Sequence, residues 1–236
     1  NNKALKVILK QNFDYVLLLN NDTEVNPNFL SLLESRMDSD KNLAATQPLI
    51  LNFQNKDTIW NAGGSFNTFF GLSKTRSKGM LYKPKLKIET FTEWISGCCI
   101  LVKISVIKEV GLLDNHFFAY FEDVDWSIRM KSLGYKLGVV PSSIIYHHSS
   151  GSTKKNNTSN EGNLSPYAHY LNVRNHIYLI NKHSFIFNSI GSWGYQILKI
   201  TSYSIYFILR GRFEKFKMVW RGVLDGIKIK NIKNIV

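Results

Sequence analysis

Cysteine is almost absent: Cys98 and Cys99 are the only two in 236 residues, and they are adjacent. Neighbours on a strand point to opposite faces, so the pair excludes a disulfide-stapled scaffold, and a reducing compartment fits best. A secretory signal is missing from the start, which opens at Asn1 rather than Met and reads as a fragment or a processed form. Repeats are missing too, and the one polar tract is residues 149–163, SSGSTKKNNTSNEGN, a candidate hinge or lid. Acid is scarce: seventeen Asp and Glu face thirty Lys and Arg, leaving +13 and a pI near 9.6. Such a balance points to a polyanion, a phosphorylated substrate or an anionic membrane surface. The excess is uneven, because residues 199–236 hold nine Lys and Arg against Glu214 and Asp225 alone. Long uncharged runs are lacking in this tail. Beyond Lys182 they are sixteen residues, 183–198, and ten, 200–209, short of the roughly 18–20 that a span needs. A helix lying in a membrane interface is more plausible than one crossing it, and a core-packing helix with a solvated basic face is an equal alternative.

What is present builds a packed domain. Apolar residues make up 44% and charged residues 20%, which excludes disorder. Residues 3–10 carry Leu5, Ile8 and Leu9 at helical spacing, and 14–20, DYVLLLN, read as a strand buried on both faces. Asn26 and Pro27 signal a helix start before FLSLLESRM. Strands are expected at 43–51 and 98–103, a helix at 105–110, another at 125–133 stopped by Gly134, then strands at 136–140 and 143–147. Alternating helices and buried strands make the class α/β. Helices at 167–180 and 193–209 and a basic amphipathic stretch at 210–230 form a distinct tail.

Three constellations carry chemistry. The first, Asn20-Asn21-Asp22, ends a strand with oxygen ligands, where Asp22 suits a divalent cation that leaves positions open for phosphate oxygens; a local Asx turn is the plainer reading. The second is FFAYFEDVDW, 117–126, where Glu122, Asp123 and Asp125 follow an aromatic run. Carboxylates this close raise one another's pKa, and a general base in an aromatic-walled cleft competes with simple helix capping. The third is Tyr146-His147-His148, at the end of the last strand, a metal ligand or a strand-end histidine. Each constellation is expected at the carboxyl end of a strand, so all three could meet in one cleft.

This combination resembles the family-2 glycosyltransferases, especially the bacterial rhamnosyltransferase-like branch. The resemblance rests on DYVLLLNNDTEVNPNFL (14–30), WISGCCILVKISVIKEVGLLDNHFFAYFEDVDWSIRMKSLGYKL (94–137), YHHSSGST (146–153) and the Arg174-Asn175 pair. It implies a GT-A-type, Rossmann-like mixed sheet flanked by helices, with a catalytic domain over 1–153 and a helical, basic extension over 154–236. It implies that Asp22 binds Mg2+ or Mn2+, with Asn20 and Asn21 beside the donor and His147, or His148 in register, completing the metal or diphosphate site. Asp123 would be the base that takes the acceptor proton, with Glu122 orienting the acceptor. Trp94, Gly97, Asp125 and Arg174 would line the donor and acceptor cleft.

The implied reaction is a single inverting displacement from a UDP- or dTDP-sugar to a saccharide or polyprenyl-linked saccharide. It would serve surface polysaccharide synthesis in the bacterial cell envelope, in the cytoplasm or peripherally on the inner membrane face. Asn1-Asn2 looks like the end of the family's glycine-and-asparagine loop, so the domain is expected to be N-terminally truncated and to bind nucleotide sugar poorly. Two other classes compete: a membrane-peripheral scaffold with a degenerate transferase fold, and a basic nucleic-acid binder. The second is disfavoured because Glu122, Asp123 and Asp125 would repel phosphate, so no nucleic-acid partner is expected.

Overall fold

A computed structural model of the chain describes residues 1–84, 88, 90–148 and 164–229. It divides into two compact units. The first takes in Asn1–Ser65, Ser73–Asp114 and the chain from Glu122 to the end of the last strand; the second is Phe66–Leu72, Asn115–Phe121 and the described residues from Leu164. The polar tract at 149–163, expected to be a hinge or lid, lies outside the described residues.

In chain order the elements are α1 (Asn2–Ile8), β1 (Tyr15–Leu19), β2 (Thr23–Val25), α2 (Phe29–Ser39), β3 (Leu43–Asn52), β4 (Ile59–Asn61), β5 (Gly64–Asn67), β6 (Leu72–Thr75) and β7 (Phe91–Thr92). Then come β8 (Cys99–Lys103), α3 (Ile104–Val110), α4 (Glu122–Ser132), β9 (Lys136–His147), α5 (Pro166–Lys182), α6 (Ser189–Leu209) and α7 (Phe213–Lys228).

The sheet of the first unit runs β1-β8-β3-β9-β2, with β4 beside β3 and β7 beside β9. β3 and β9 are parallel, whereas β8 is antiparallel to both β1 and β3, so the sheet is mixed as expected. Side chains along β8 alternate between two cores: Ile100 and Val102 meet Leu5, Ile107 and Trp126, while Cys99 and Leu101 meet Phe29, Leu33 and Met37. Thus α1, α3 and α4 cover one face and α2 the other. β1 departs from expectation. Its five apolar residues are mostly only half-buried, because among the described strands it pairs with β8 alone and forms an edge.

The two expected strands at 136–140 and 143–147 are one, β9. Pro48 and Pro141 explain the sequence signal for a break. Neither can donate a ladder hydrogen bond, and the β3–β9 register shifts there, Pro48 facing Val140 and Leu49 facing Ile144. The fourth helix opens at Glu122 rather than at 125, so Glu122, Asp123 and Asp125 all occupy its first turn. They complement the positive helix end, and they do not follow a strand as expected.

The second unit rests on α5, α6 and α7. Ser165 caps α5, accepting from the Ala168 N–H at 3.1 Å, with Pro166 in the first turn. Gly222 and Gly226 let α7 approach α5 backbone to backbone: a Cβ on either would lie 2.8 Å from the Tyr170 or Arg174 carbonyl oxygen.

Candidate active site

One edge of the sheet gathers most of the expected residues. Because β1, β3 and β9 run the same way and β8 runs against them, this edge holds the ends of β1 and β9 and the start of β8. Leu19 faces Cys99, and the Asn20 N–H donates to the Cys98 carbonyl at 2.9 Å. β2 then turns back along the end of β9, with Thr23 facing His147. That pairing puts Asp22 Oδ1 3.3 Å from His147 Nε2, and the Asp22 carbonyl accepts from the His148 N–H at 2.9 Å.

The two histidines therefore part company. His147 is buried and meets the edge of Trp60, while the His148 ring stacks on Phe53 at 3.4 Å. Burial lowers the His147 pKa, and the neighbouring Asp22 opposes that shift. A neutral imidazole offers a lone pair to a metal; the nitrogen beside Asp22 is Nε2, and the buried Nδ1 on the far side of the ring has no protein partner. Asp22 and His147 thus offer one oxygen and one nitrogen from nearly one point. Among the described residues no group of three or more His, Cys, Asp or Glu could hold a metal. A cation fits this pair as an open site, with most of its positions left to a ligand's oxygens or to water.

Asp123 is held from the start of β8. Its Oδ2 accepts from the Gly97 N–H at 2.7 Å and its Oδ1 from the Val124 N–H at 2.8 Å. Desolvation nevertheless raises its pKa, and the backbone donors only partly offset this. The Glu122 carboxyl beside it is pushed up to about 7, first by burial and then by the Asp123 charge, and its Oε2 has no partner. Asp22 and Asp123 both bear on Cys98, whose thiol burial raises far above the thiol range, with the two carboxylates adding to the shift. The metal candidate and the base candidate therefore share one neighbourhood. The Cys99 thiol is pushed up to about 12, which keeps it an inert core group.

Polar residues that carry no sequence signal hold this edge together. Ser127 Oγ donates to the Asp123 carbonyl and accepts from the Ile95 N–H, while Gln47 accepts from the Ser96 N–H and donates to Asn61. Trp94 is buried with its indole N–H unpartnered, and its ring lies where a Gly64 Cβ would stand, within 2.0 Å. Only glycine fits at position 64.

Two further residues expected in the cleft, Asp125 and Arg174, are held by contacts within their own units. Asp125 is fully buried and accepts from Arg129 Nε at 2.9 Å; Arg129 also donates to the Val110 and Leu112 carbonyls. This buried pair fastens α4 to the end of α3, turned inward. Arg174 belongs to the second unit, where it donates to the carbonyls of His116 and Phe117 at 2.7 and 3.0 Å. Its neighbour Asn175 donates to the carbonyls of Phe117, Ala119 and Tyr120. These bonds fasten a strained loop: Phe118, Tyr120 and Phe121 all have φ between 61 and 71°, the left-handed region that costs a bulky residue roughly 1–2 kcal/mol.

Known proteins resemble this chain in sequence and in fold. The model for the glycosyl transferase family group 2 matches residues 15–222. An N-acetylglucosaminyl-diphospho-decaprenol L-rhamnosyltransferase of Mycobacterium tuberculosis is 35% identical over 91 residues, 39% of this chain and 27% of the relative. Rhamnosyltransferase WbbL of Escherichia coli is 30% identical over 78 residues, 33% of this chain and 28% of the relative. The matched segments thus span little more than a quarter of either relative. Among solved structures, that of GalNAc-T7 with UDP, GalNAc and Mn2+ superposes with a TM-score of 0.51 at 18% identity, covering 76% of this chain and 34% of that one. At this identity the likeness shows the fold, which is of GT-A type.

Proposed function

The chain belongs to glycosyl transferase family group 2, and from that premise we propose that it moves a sugar from a nucleotide diphosphate to a saccharide hydroxyl, with inversion. The observation that supports the reading is that the segment Gly97-Cys98 holds both candidates at one sheet edge: the Gly97 N–H donates to Asp123, and the Cys98 carbonyl accepts from the Asn20 N–H, two residues before Asp22 of the Asp22–His147 pair.

Asp123 takes the proton of the acceptor hydroxyl as that oxygen forms its bond to the anomeric carbon. The bond from that carbon to the diphosphate oxygen breaks on the opposite face, so one displacement inverts the configuration. The Gly97 and Val124 N–H groups aim the base, and Glu122, whose buried Oε2 has no protein partner, is the group assigned to orient the acceptor. Asn20, Asn21, Trp94 and Gly97 border the donor. Asp22 and His147 would hold Mn2+ or Mg2+, which supplies neutralisation of the charge developing on the leaving diphosphate. The nitrogen ligand favours Mn2+ over Mg2+.

UDP- or dTDP-sugars are the proposed donors, with rhamnose first, and a polyprenyl-linked saccharide is the proposed acceptor, since a relative's name carries both rhamnosyl and diphospho-decaprenol groups. The setting proposed is surface polysaccharide synthesis on the inner face of the plasma membrane. No helix among the described residues is long and apolar enough to cross a membrane.

The test is transfer by the full gene product across UDP-, dTDP- and GDP-sugars, with Mn2+ and Mg2+ titrated. Loss of one protein contact to a metal site costs about 10–100-fold in metal affinity or activity, so Asp22→Asn should raise the Mn2+ needed for half-maximal turnover by at least tenfold. An unchanged Mn2+ requirement would remove Asp22 from the site, and no transfer with any donor would sink the reading. The pH profile is a second check. The base must be ionised, and burial raises the Asp123 pKa above the usual carboxylate range, so turnover should fall on acidification at a higher pH than an ordinary carboxylate would give. Stability should move the other way. A carboxyl raised from 4.5 to about 7 in the fold stabilises fully below 4.5, and this contribution is lost as pH rises through 7. Denaturation at pH 5 and pH 8 would measure it.

A further inference from the structure

The helix α6 carries apolar side chains on its outer face as well as its inner one. Its inward face buries Gly191, Ser192 and Gln196 along with Ile200 and Phe207. Its outward face carries Ile190, Ile197, Leu198, Ile205, Ile208 and Leu209, between 49% and 85% exposed, with exposed Gly194, Thr201 and Ser202 between them. Ordinary surface helices keep their outward face polar, so six exposed aliphatic side chains on one helix mark an interaction surface. α7 repeats the theme with exposed Phe213, Trp220, Leu224 and Ile227. The Trp220 indole N–H donates to Ser204 Oγ at 3.1 Å, which joins the two helices on this side.

We propose that this α6–α7 face docks in the headgroup layer of an anionic lipid bilayer, with α6 lying flat along it. Charge decides for lipid over a second protein copy. Arg210, Lys217, Arg221 and Lys228 are exposed on α7 and the turn before it, within a tail that holds nine Lys and Arg and two acids; Lys217 and Arg221 pair with those acids, Glu214 and Asp225, which leaves the tail strongly positive. Protein–protein interfaces deplete Lys at the contact, whereas an amphipathic helix with cations at its polar edge and a Trp beside its apolar face is the composition that lies in a bilayer interface. At 21 residues, α6 measures about 30 Å and extends along the surface. This deepens the peripheral-membrane part of the reading above and rests on it only for the acceptor being found there.

Flotation of the purified chain with phosphatidylcholine vesicles, with and without phosphatidylglycerol, tests the surface. Retention is expected with phosphatidylglycerol and should fall with added salt. Ile197→Asn with Leu198→Asn, exposed sites whose change leaves the core intact, should cut retention about tenfold or more. Arg210→Gln with Lys217→Gln should cut it about fivefold per charge. No retention on anionic vesicles, or retention unchanged in both double variants, would overturn the proposal. So would a lipid-free dimer that Ile197→Asn with Leu198→Asn dissociates, because a second copy would then be the occupant. Transfer to a short water-soluble acceptor separates the two readings: the surface variants should keep it, and Asp123→Asn should float like the parent while losing it.

Discussion

Asp123→Asn is expected to lower transfer by about 10²–10⁴-fold while donor binding stays within a few-fold of the parent. The substitution keeps the shape of the side chain and removes its basicity. Two backbone N–H groups, from Gly97 and Val124, now end on the two carboxylate oxygens. An amide offers one acceptor and one NH2, so one of these N–H groups meets a donor, at a cost of about 1–3 kcal/mol. Opposing this, the variant removes a desolvated charge beside Glu122, one of the two causes that push the Glu122 carboxyl up to about 7. The stability change should therefore be small beside the loss of rate, and the Glu122 titration should move down. Single-turnover rates and donor calorimetry on the same preparation separate the effects. Unchanged turnover, or an equal loss of donor binding, would take the base role away from Asp123. Glu122→Gln is the internal control, with a smaller loss of rate if Glu122 orients the acceptor.

Much of this site is legible because its parts are local. Asn20-Asn21-Asp22, Glu122-Asp123 and His147-His148 are each contiguous, flanked by apolar runs whose alternation gives the strands. What the sequence withholds depends on strand order. DYVLLLN looks like a central strand because five apolar residues in succession suit either a central or an edge position; pairing with β8 alone decides it. The choice between His147 and His148 depends on register, which the β2–β9 pairing sets by placing Thr23 opposite His147. Asp125 reads as a third acid of the site, yet Arg129 four residues on is an (i, i+4) partner, a signal present in the sequence that points to the buried pair. Gln47 and Ser127 stand among other polar residues, Thr46 in β3 and Glu122, Asp123 and Asp125 in α4. Nothing marks them until β8 and α4 bring them to the same backbone segment, 95–97.

Asn175 is the residue whose loss should cost the second unit most. It is wholly buried on α5, and its single NH2 group serves three carbonyls, those of Phe117, Ala119 and Tyr120, at 2.8, 2.7 and 2.9 Å. Two hydrogens for three acceptors means that one is shared. Arg174 Nε donates to the Asn175 carbonyl oxygen at 2.8 Å, which fixes the amide with its NH2 toward the loop. The loop needs such a hold, because three bulky residues in the left-handed region would otherwise relax. Beneath it Phe121 stacks on His176 at 5.1 Å. Burial first, then the Lys199 charge, pushes His176 down to about 3; it stays neutral, with its other contacts to the Gly71 carbonyl and Gln196. Asn175→Ala leaves buried carbonyls without a donor and should destabilise by about 2–4 kcal/mol in chemical denaturation. Asn175→Asp discriminates between donation and packing. It has the same shape and gains an ion pair with Arg174, yet it turns an oxygen toward three carbonyls. If donation holds the loop, the Asp variant should be at least as unstable as the Ala variant. An Asp variant as stable as the parent would mean that packing alone fixes Phe118, Tyr120 and Phe121.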